Sequence, residues 1–250
     1  MSLDTLSAHV GDADDLARIL GRALLTSHWL PGDLFPRELD VAAHFGVSRN
    51  LVRNALTQLA ATGLIVRTAG RGTLVRDLND WHLLDPRLSE WMSGLVDLNP
   101  QLLREIYAFR LSAEPVVTSL AATAASADDL QRIEAAFEGM AKTATSAQKR
   151  LEHAEYDVAF HDAVYQASHN LVWRQMEHLL RPSILALVQR SQHSLTALDD
   201  SLARHGRIVE AIRRGDGEQA ATAARAVLER TAEDLRLAWP GIHSSQKETT

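Results

Sequence analysis

The stretch that most constrains this chain is Gly46-Val47-Ser48-Arg49-Asn50-Leu51-Val52-Arg53-Asn54-Ala55-Leu56-Thr57-Gln58-Leu59. Ser48 is suited to cap a helix start by accepting a backbone N–H. Val52, Ala55, Leu56 and Leu59 recur at helical spacing, so one face is expected to be buried. Asn50, Arg53, Asn54 and Thr57 are left on the other face. A short helix entered by Ser48 and Arg49 suits a major groove, where early helix residues point at base edges and phosphates. Taken alone, the stretch fits both a DNA-reading helix and an ordinary surface helix.

Its neighbours decide between the two. Leu16, Ile19, Leu20, Ala23 and Leu24 define one face of a helix over 13–27, which Pro31-Gly32 ends. Pro36 opens a second short helix, 37–45, with Leu39, Ala42 and Phe45 available for packing, and Phe45-Gly46-Val47 turns into the Ser48 helix. Two short helices joined by a glycine-containing turn form a helix-turn-helix pattern. Beyond Thr62-Gly63, Leu64-Ile65-Val66-Arg67 and Thr73-Leu74-Val75-Arg76 read as paired strands around the turn Thr68-Ala69-Gly70-Arg71-Gly72. This is a wing with Arg71 at its tip and glycines that allow close backbone approach to another molecule. Net charge over the 250 residues is -6, yet from Arg37 to Arg76 six arginines (37, 49, 53, 67, 71, 76) face only Glu38 and Asp40. A DNA footprint is therefore expected to be local, a basic module on an acidic body.

The chain is long enough for two cores, and low aromatic content (5%) with abundant Ala and Leu favours helices over sheets. No cysteine is present, which sets aside disulfides and thiol chemistry and fits a cytoplasmic setting. No segment approaches the roughly 18 uninterrupted apolar residues of a membrane span, so no membrane partner is expected. The expected organisation is a winged helix-turn-helix over 10–77, a linker with a docking helix over 78–100, an all-helical domain over 101–238, and a disordered tail over 239–250. Within 78–100, a helix near 86–95 bearing Leu88, Trp91 and Met92 is expected to dock on the second domain. Helices are then expected over about 101–125, 128–144, 148–168, 171–194, 198–214 and 216–238, giving a mainly α chain whose second domain is an antiparallel bundle.

Polar residues that share apolar stripes single out the second domain. Asp157 and His161 lie four apart on one face, and His205 leads a face with Val209 and Ile212. These three suit a borderline divalent metal, or an anion pocket in which histidines donate, or, for the i,i+4 pair, a helix-surface ion pair. Arg110, among Ile106, Tyr107, Leu111 and Val117, needs a carboxylate partner, either Glu114 or that of a ligand. His153, His169, His178 and His193 read as surface or hinge residues. An activated nucleophile, a phosphate-cradling glycine loop and a zinc-protease helix are all missing from the pattern, so a sensing domain fits better than an enzyme. The competing readings are a metal-dependent sugar-acid enzyme and a constitutive architectural DNA binder.

Taken together these motifs resemble the GntR family of bacterial transcriptional regulators, in the FadR-type subgroup with an all-helical effector domain. The amino-terminal text is Pro31-Gly32-Asp33, Glu38, Phe45-Gly46-Val47-Ser48-Arg49, Val52-Arg53-Asn54-Ala55-Leu56, Leu59, Gly63-Leu64-Ile65 and Gly70-Arg71-Gly72-Thr73-Leu74-Val75. The effector-domain text is Arg110, Glu114, Asp157-Val158-Ala159-Phe160-His161, Ser168-His169-Asn170, His205, Ile208-Val209, Ala211-Ile212 and Gly215-Asp216. Trp81-His82-Leu83-Leu84-Asp85-Pro86 followed by Trp91 is similar to regulators of sugar-acid catabolism.

The resemblance implies a homodimeric repressor on palindromic operator DNA, released by a small carboxylate effector such as a sugar acid. It places DNA contacts at Ser48, Arg49, Arg53, Gly70, Arg71 and Gly72, to which the outward helix face adds Asn50 and Asn54, with Arg37 standing in for a missing family arginine; it places the effector at Arg110, Asp157, His161, His205 and Asn170. Where the family often has an arginine after the glutamate corresponding to Glu38, this chain has Leu39, with Arg37 before it. Asp157, His161 and His205 match three of the family's four usual metal ligands, and Val227 stands where the fourth is expected. Three protein ligands still suffice for zinc or another divalent ion, with water or effector completing the shell. Members without metal keep open the alternative that His161 and His205 donate to the effector.

Overall fold

The computed structural model describes residues 3–6, 9–68, 70–95, 97–144, 149–176, 180–182, 184–186 and 195–238. Ala69 of the wing turn, His178, His193 and the tail 239–250 lie outside the described residues, as does much of the helix expected over 171–194. The chain divides into two compact units, Met1–Leu102 and Leu103–Thr250. No described helix is long and apolar enough to cross a membrane.

The first unit is built on α1 (Ala13–Leu25), α2 (Glu38–Phe45) and α3 (Arg49–Ala61). The Asp12 side chain caps α1 by accepting from the Asp14 and Asp15 N–H groups, both at 2.9 Å. Leu16, Leu20 and Leu24 of α1 and Val52, Leu56 and Leu59 of α3 are buried in one core. Full burial of a leucine is worth about 1.5–3 kcal/mol, so this stripe fixes the orientation of α3 and with it the outward face. Gly46 ends α2 at φ +66°, a left-handed conformation that an L side chain would strain, and the turn swings the chain directly into α3. Leu39, expected to pack, is 58% exposed, while Val41 is buried. The reason is phase: Leu39 lies two residues from Val41, more than half a helical turn away, so it points away from the core.

The wing consists of β1 (Ile65–Thr68) and β2 (Gly72–Val75), antiparallel with Ile65 opposite Val75 and Thr68 opposite Gly72. Its root is braced by residues 32–35 running beside β2: Gly32 N donates to Val75 O, Val75 N to Asp33 O and Phe35 N to Thr73 O. A lone hairpin is marginal in water, so this third segment holds the tip in place. The helix in the linker, α4 (Pro86–Met92), packs on α1 of the first unit rather than belonging to the helical domain. Gly21 has no Cβ to block the Trp91 ring, and Arg22 Nη1 donates to the carbonyls of Trp91 at 3.1 Å and Ser93 at 2.8 Å.

The described part of the second unit is all helical. Its elements are α5 (Pro100–Ala124, which starts at the end of the first unit), α6 (Ala127–Thr143), α7 (Arg150–Ala167), α8 (Leu171–Gln175), α9 (Leu195–Arg213) and α10 (Gly217–Ala238). Ile133, Met140, Phe160, Val164, Ile208, Val209, Ile212, Ala220, Ala224 and Val227 share one apolar core. Tyr107 of α5 donates its hydroxyl to Leu228 O at 2.7 Å.

A polar knot ties α6 to the end of α7. Ser126 and Asp129 form a capping box, and the buried Asp129 carboxylate also accepts from His169 Nε2 at 2.7 Å and Arg132 Nη2 at 2.5 Å. Burial by itself would raise the Asp129 pKa, but the hydrogen bonds from Ser126, His169 and Arg132 outweigh it and hold the carboxyl well below the usual carboxylate range. A carboxyl lowered on folding stabilises above its unfolded pKa and loses that contribution as pH falls. Asp129→Ala is therefore expected to cost about 1–3 kcal/mol at neutral pH. In acid the difference from wild type should shrink below pH 4, which urea unfolding at pH 7, 4 and 3 would show.

Candidate functional site

On the first unit, Ser48 accepts the Leu51 N–H at 3.2 Å through its side chain, which starts α3, and the residue is exposed. Arg49, Asn50, Arg53, Asn54 and Thr57 are all exposed on the face opposite the core. Arg37, directly before α2, is exposed and forms no side-chain cap. At the wing tip Gly70 and Gly72 have φ of +75° and +85°, and Arg71 between them is exposed. The pattern-based contacts thus share a polar, basic surface made by α3, the start of α2 and the wing. Glu38 was legible as one of two acids in this region and as part of the family-like amino-terminal text. It pairs with Arg53 at 3.6 Å and with Arg67, so one carboxylate joins the helix to the wing strand. Neither Glu38 nor Arg67 stood out in the sequence as a site residue.

In the second unit, Arg110, Glu114, Asp157, His161 and His205 are buried together. Arg110 Nε donates to Glu114 Oε1 at 2.5 Å, one of the two partners its position allowed. The other Glu114 oxygen lies 3.2 Å from His161 Nδ1, and His161 Nε2 lies 3.4 Å from Asp157 Oδ1. His205 directs Nδ1 at the Ser201 carbonyl, 2.8 Å away, which fixes the proton there. Its Nε2 is buried with no hydrogen-bond partner among the described residues. Donor atoms of Asp157, His161 and His205 lie within 4.8 Å of one another, a group able to hold a metal ion. Phe160 meets His205 edge-on at 5.1 Å between ring centroids, and the two imidazoles meet at 5.5 Å, so packing restricts both rings.

The electrostatics follow from this geometry. Burial would raise Glu114, but Arg110 and His161 outweigh it and bring the carboxyl down to about 2. Burial would likewise raise Asp157, and His161 and His205 bring it to about 2. Burial disfavours the His161 cation, yet Glu114 and Asp157 on either side raise its pKa to about 9. His205 moves the other way, because burial keeps it neutral with an available lone pair. The Tyr165 hydroxyl, four residues beyond His161, is buried without a partner among the described residues, and burial pushes its pKa up so that it stays protonated. A cavity lined by Val158, His161, Asp162, Tyr165, Leu180, Arg181 and Ile184 has about 10 Å³ for the centre of a water-sized occupant.

Two expectations change here. Asn170 stays apart from the cluster: it is exposed, and its side-chain oxygen caps α8 by accepting from Val172 N at 2.9 Å and Trp173 N at 3.1 Å. His153, read as a surface or hinge residue, is fully buried, with Nδ1 at 3.0 Å from Met140 O. The signal was present, since residues 153, 157, 161 and 165 are each four apart and form one face of α7. Val227 is buried in the apolar core and brings no donor.

A winged helix-turn-helix with an outward basic face, followed by an all-helical unit with a buried polar cluster, defines a DNA-binding transcriptional regulator. Residues 13–75 match the model of bacterial regulatory proteins of the gntR family, and residues 105–230 match the FCD domain. The chain belongs to the GntR family and carries an FCD domain, so it matches transcription factors and not a family of enzymes. It is 29% identical over 224 residues to the galactonate operon transcriptional repressor of Escherichia coli, covering 89% of this chain and 96% of that protein. It is 30% identical over 207 residues to the regulator LutR of Bacillus subtilis, covering 79% and 89%. Among solved structures, Lar of Listeria monocytogenes shares the fold with a TM-score of 0.62 at 16% identity, over 92% of this chain and 100% of that one.

Proposed function

We propose that this regulator is a homodimeric repressor of genes for sugar-acid catabolism, released from a palindromic operator by a small carboxylate. The observation that carries the reading is the buried chain Arg110–Glu114–His161–Asp157 beside a His205 nitrogen with no partner among the described residues. A buried polar atom left unpaired costs about 1–3 kcal/mol, which a ligand or metal would offset. The relatives point to the ligand class: besides the galactonate operon repressor, a putative L-lactate dehydrogenase operon regulatory protein of Escherichia coli is 29% identical over 213 residues.

In this reading Arg110 meets the effector carboxylate as a charged fork, while Asp157, His161 and His205 hold a divalent ion such as zinc. The donor set fits one carboxylate and two imidazoles, with the Ser201 carbonyl and Glu114 orienting the rings from behind. A bound ion would supply a positive centre for carboxylate or hydroxyl oxygens. The space beside His161 takes about one water, so a sugar acid has to displace the wall formed by Leu180, Arg181 and Ile184. Binding that favours the displaced arrangement is what couples the site to DNA release.

On the DNA side, the reading uses Arg37, Ser48, Arg49, Asn50, Arg53 and Asn54 on the helices and Gly70, Arg71 and Gly72 at the wing. The test is Arg110→Ala in an operator-release assay with galactonate as the probe and lactate and gluconate alongside. Wild type is expected to leave the operator, and Arg110→Ala to bind it normally and stay bound. Full release of Arg110→Ala would sink the carboxylate clamp. Metal content of protein purified without an affinity tag, compared with His205→Ala, tests the ion: the variant is expected to lose it.

A further inference from the structure

Glu38 opens α2, yet its side chain is only 22% exposed because two arginines from other elements lie over it. Arg53 Nη2, from the outward face of α3, is 3.6 Å from Oε2, and Arg67 Nη2, from β1, donates to Oε1. Both arginines remain about half exposed on their outer sides, at 54% and 42%. A single carboxylate therefore holds two guanidinium groups belonging to the two elements that define the DNA-facing surface. An isolated surface ion pair contributes little to stability, about 0–1 kcal/mol, so folding alone gives a weak account of this triad.

The geometry points to Glu38 as a positioning residue for base reading: it fixes Arg53 for the edge of a guanine and Arg67 for the adjoining phosphate. The inference rests on the chain being a DNA-binding regulator. Arginine reads guanine by donating two parallel hydrogen bonds to O6 and N7, a geometry the flexible side chain has to reach before it discriminates. A carboxylate behind the guanidinium holds part of that geometry in advance. The same carboxylate sits near the phosphate backbone and repels it, so Glu38 lowers affinity for DNA in which Arg53 finds no guanine. Specific and non-specific binding are thereby moved in opposite directions by one residue. A side chain needed only for structure would shift both the same way.

The experiment is enrichment of full-length protein on a random-sequence duplex pool, followed by salt titrations on the enriched duplex and on unselected duplex. Wild type is expected to enrich a guanine in each half-site that Arg53→Ala no longer selects. Glu38→Gln should lower preference for that guanine about tenfold, within the range of one bidentate pair, while raising affinity for unselected duplex. Its salt dependence should steepen by about one phosphate contact, and Arg67→Ala should weaken binding to every duplex alike with a slope shallower by about one. Glu38→Asp, which keeps the charge, should retain part of the preference, and Glu38→Gln combined with Arg53→Ala should select no differently from Arg53→Ala alone. Thermal unfolding of each variant separates misfolding from altered reading. The proposal is overturned by Glu38→Gln selecting the same guanine as strongly as wild type, or by an equal loss of affinity for all duplexes. A wild-type pool with no enriched sequence would instead remove the DNA-reading premise.

Discussion

Replacing Glu114 by alanine is expected to destabilise the helical unit by about 3–5 kcal/mol, because it leaves buried positive charge without its partner. Glu114 is the only described carboxylate that touches both Arg110 and His161, and all three side chains are buried. An exposed pair of the same length would matter far less, since water would replace the lost partner. Glu114→Gln should cost less, as the amide oxygen can still accept from Arg110 Nε. Urea unfolding of wild type and the two variants measures the difference. The pH dependence gives a second check. His161 is raised from 6.5 to about 9, so its contribution is fully present below pH 6.5 and is lost as pH rises through 9. Glu114 is the largest of the groups that raise it, so in Glu114→Ala the alkaline loss should begin at lower pH. An alkaline limb unchanged in the variant would contradict the contact between Glu114 and His161. Asp157, held near 2, contributes above about pH 4 and loses its contribution in acid, independently of this effect.

The combined change Arg53→Ala with Arg71→Ala is expected to abolish detectable operator binding while leaving the fold intact. Each arginine is exposed and outside the apolar core, so their removal creates no cavity and no unpaired buried group. Loss of one base-reading contact costs about 1–3 kcal/mol, or roughly tenfold to a hundredfold in affinity, for each half-site. Loss of the wing cation should weaken binding to all sequences and flatten the salt dependence by about one contact per half-site. The separate variants should therefore differ in kind: Arg53→Ala relaxes sequence preference, and Arg71→Ala keeps preference at lower affinity. Titration of selected and scrambled duplexes between low and moderate salt separates the two. Equal behaviour of both variants on both duplexes would show that helix and wing do not divide the work this way.

Much of the site was written in local spacing. The face of α3 follows from apolar residues three and four apart, and the strands of the wing from apolar runs flanking Gly70-Arg71-Gly72. Arg110 with Glu114, and Asp157 with His161, are each one helical turn apart, so their proximity needs nothing beyond the helix. The same rule, applied one step further, places His153 on the buried face. Asn170, placed at the effector by the resemblance, is exposed and caps α8 instead.

By itself, then, the sequence determined most of the described helices and both strands, most of their apolar faces, and which polar residues share a helical turn, because those depend on contacts within a few residues. The helix expected over 171–194 instead ends at Gln175, and the rest of it lies largely outside the described residues. Only the tertiary structure decided which of those faces meet. Glu114 reaches His161 from another helix, Glu38 reaches Arg67 across 29 positions, and His205 joins Asp157 and His161 with one nitrogen held by Ser201 and the other unpaired among the described residues. Such distances are fixed by how whole cores pack, a sum of many small contacts that no spacing rule encodes. That is why the helix at Ser48 and the one-turn pairs Arg110–Glu114 and Asp157–His161 were legible in the chain, whereas the contacts of Glu38 with Arg53 and Arg67, and of Glu114 with His161, were not.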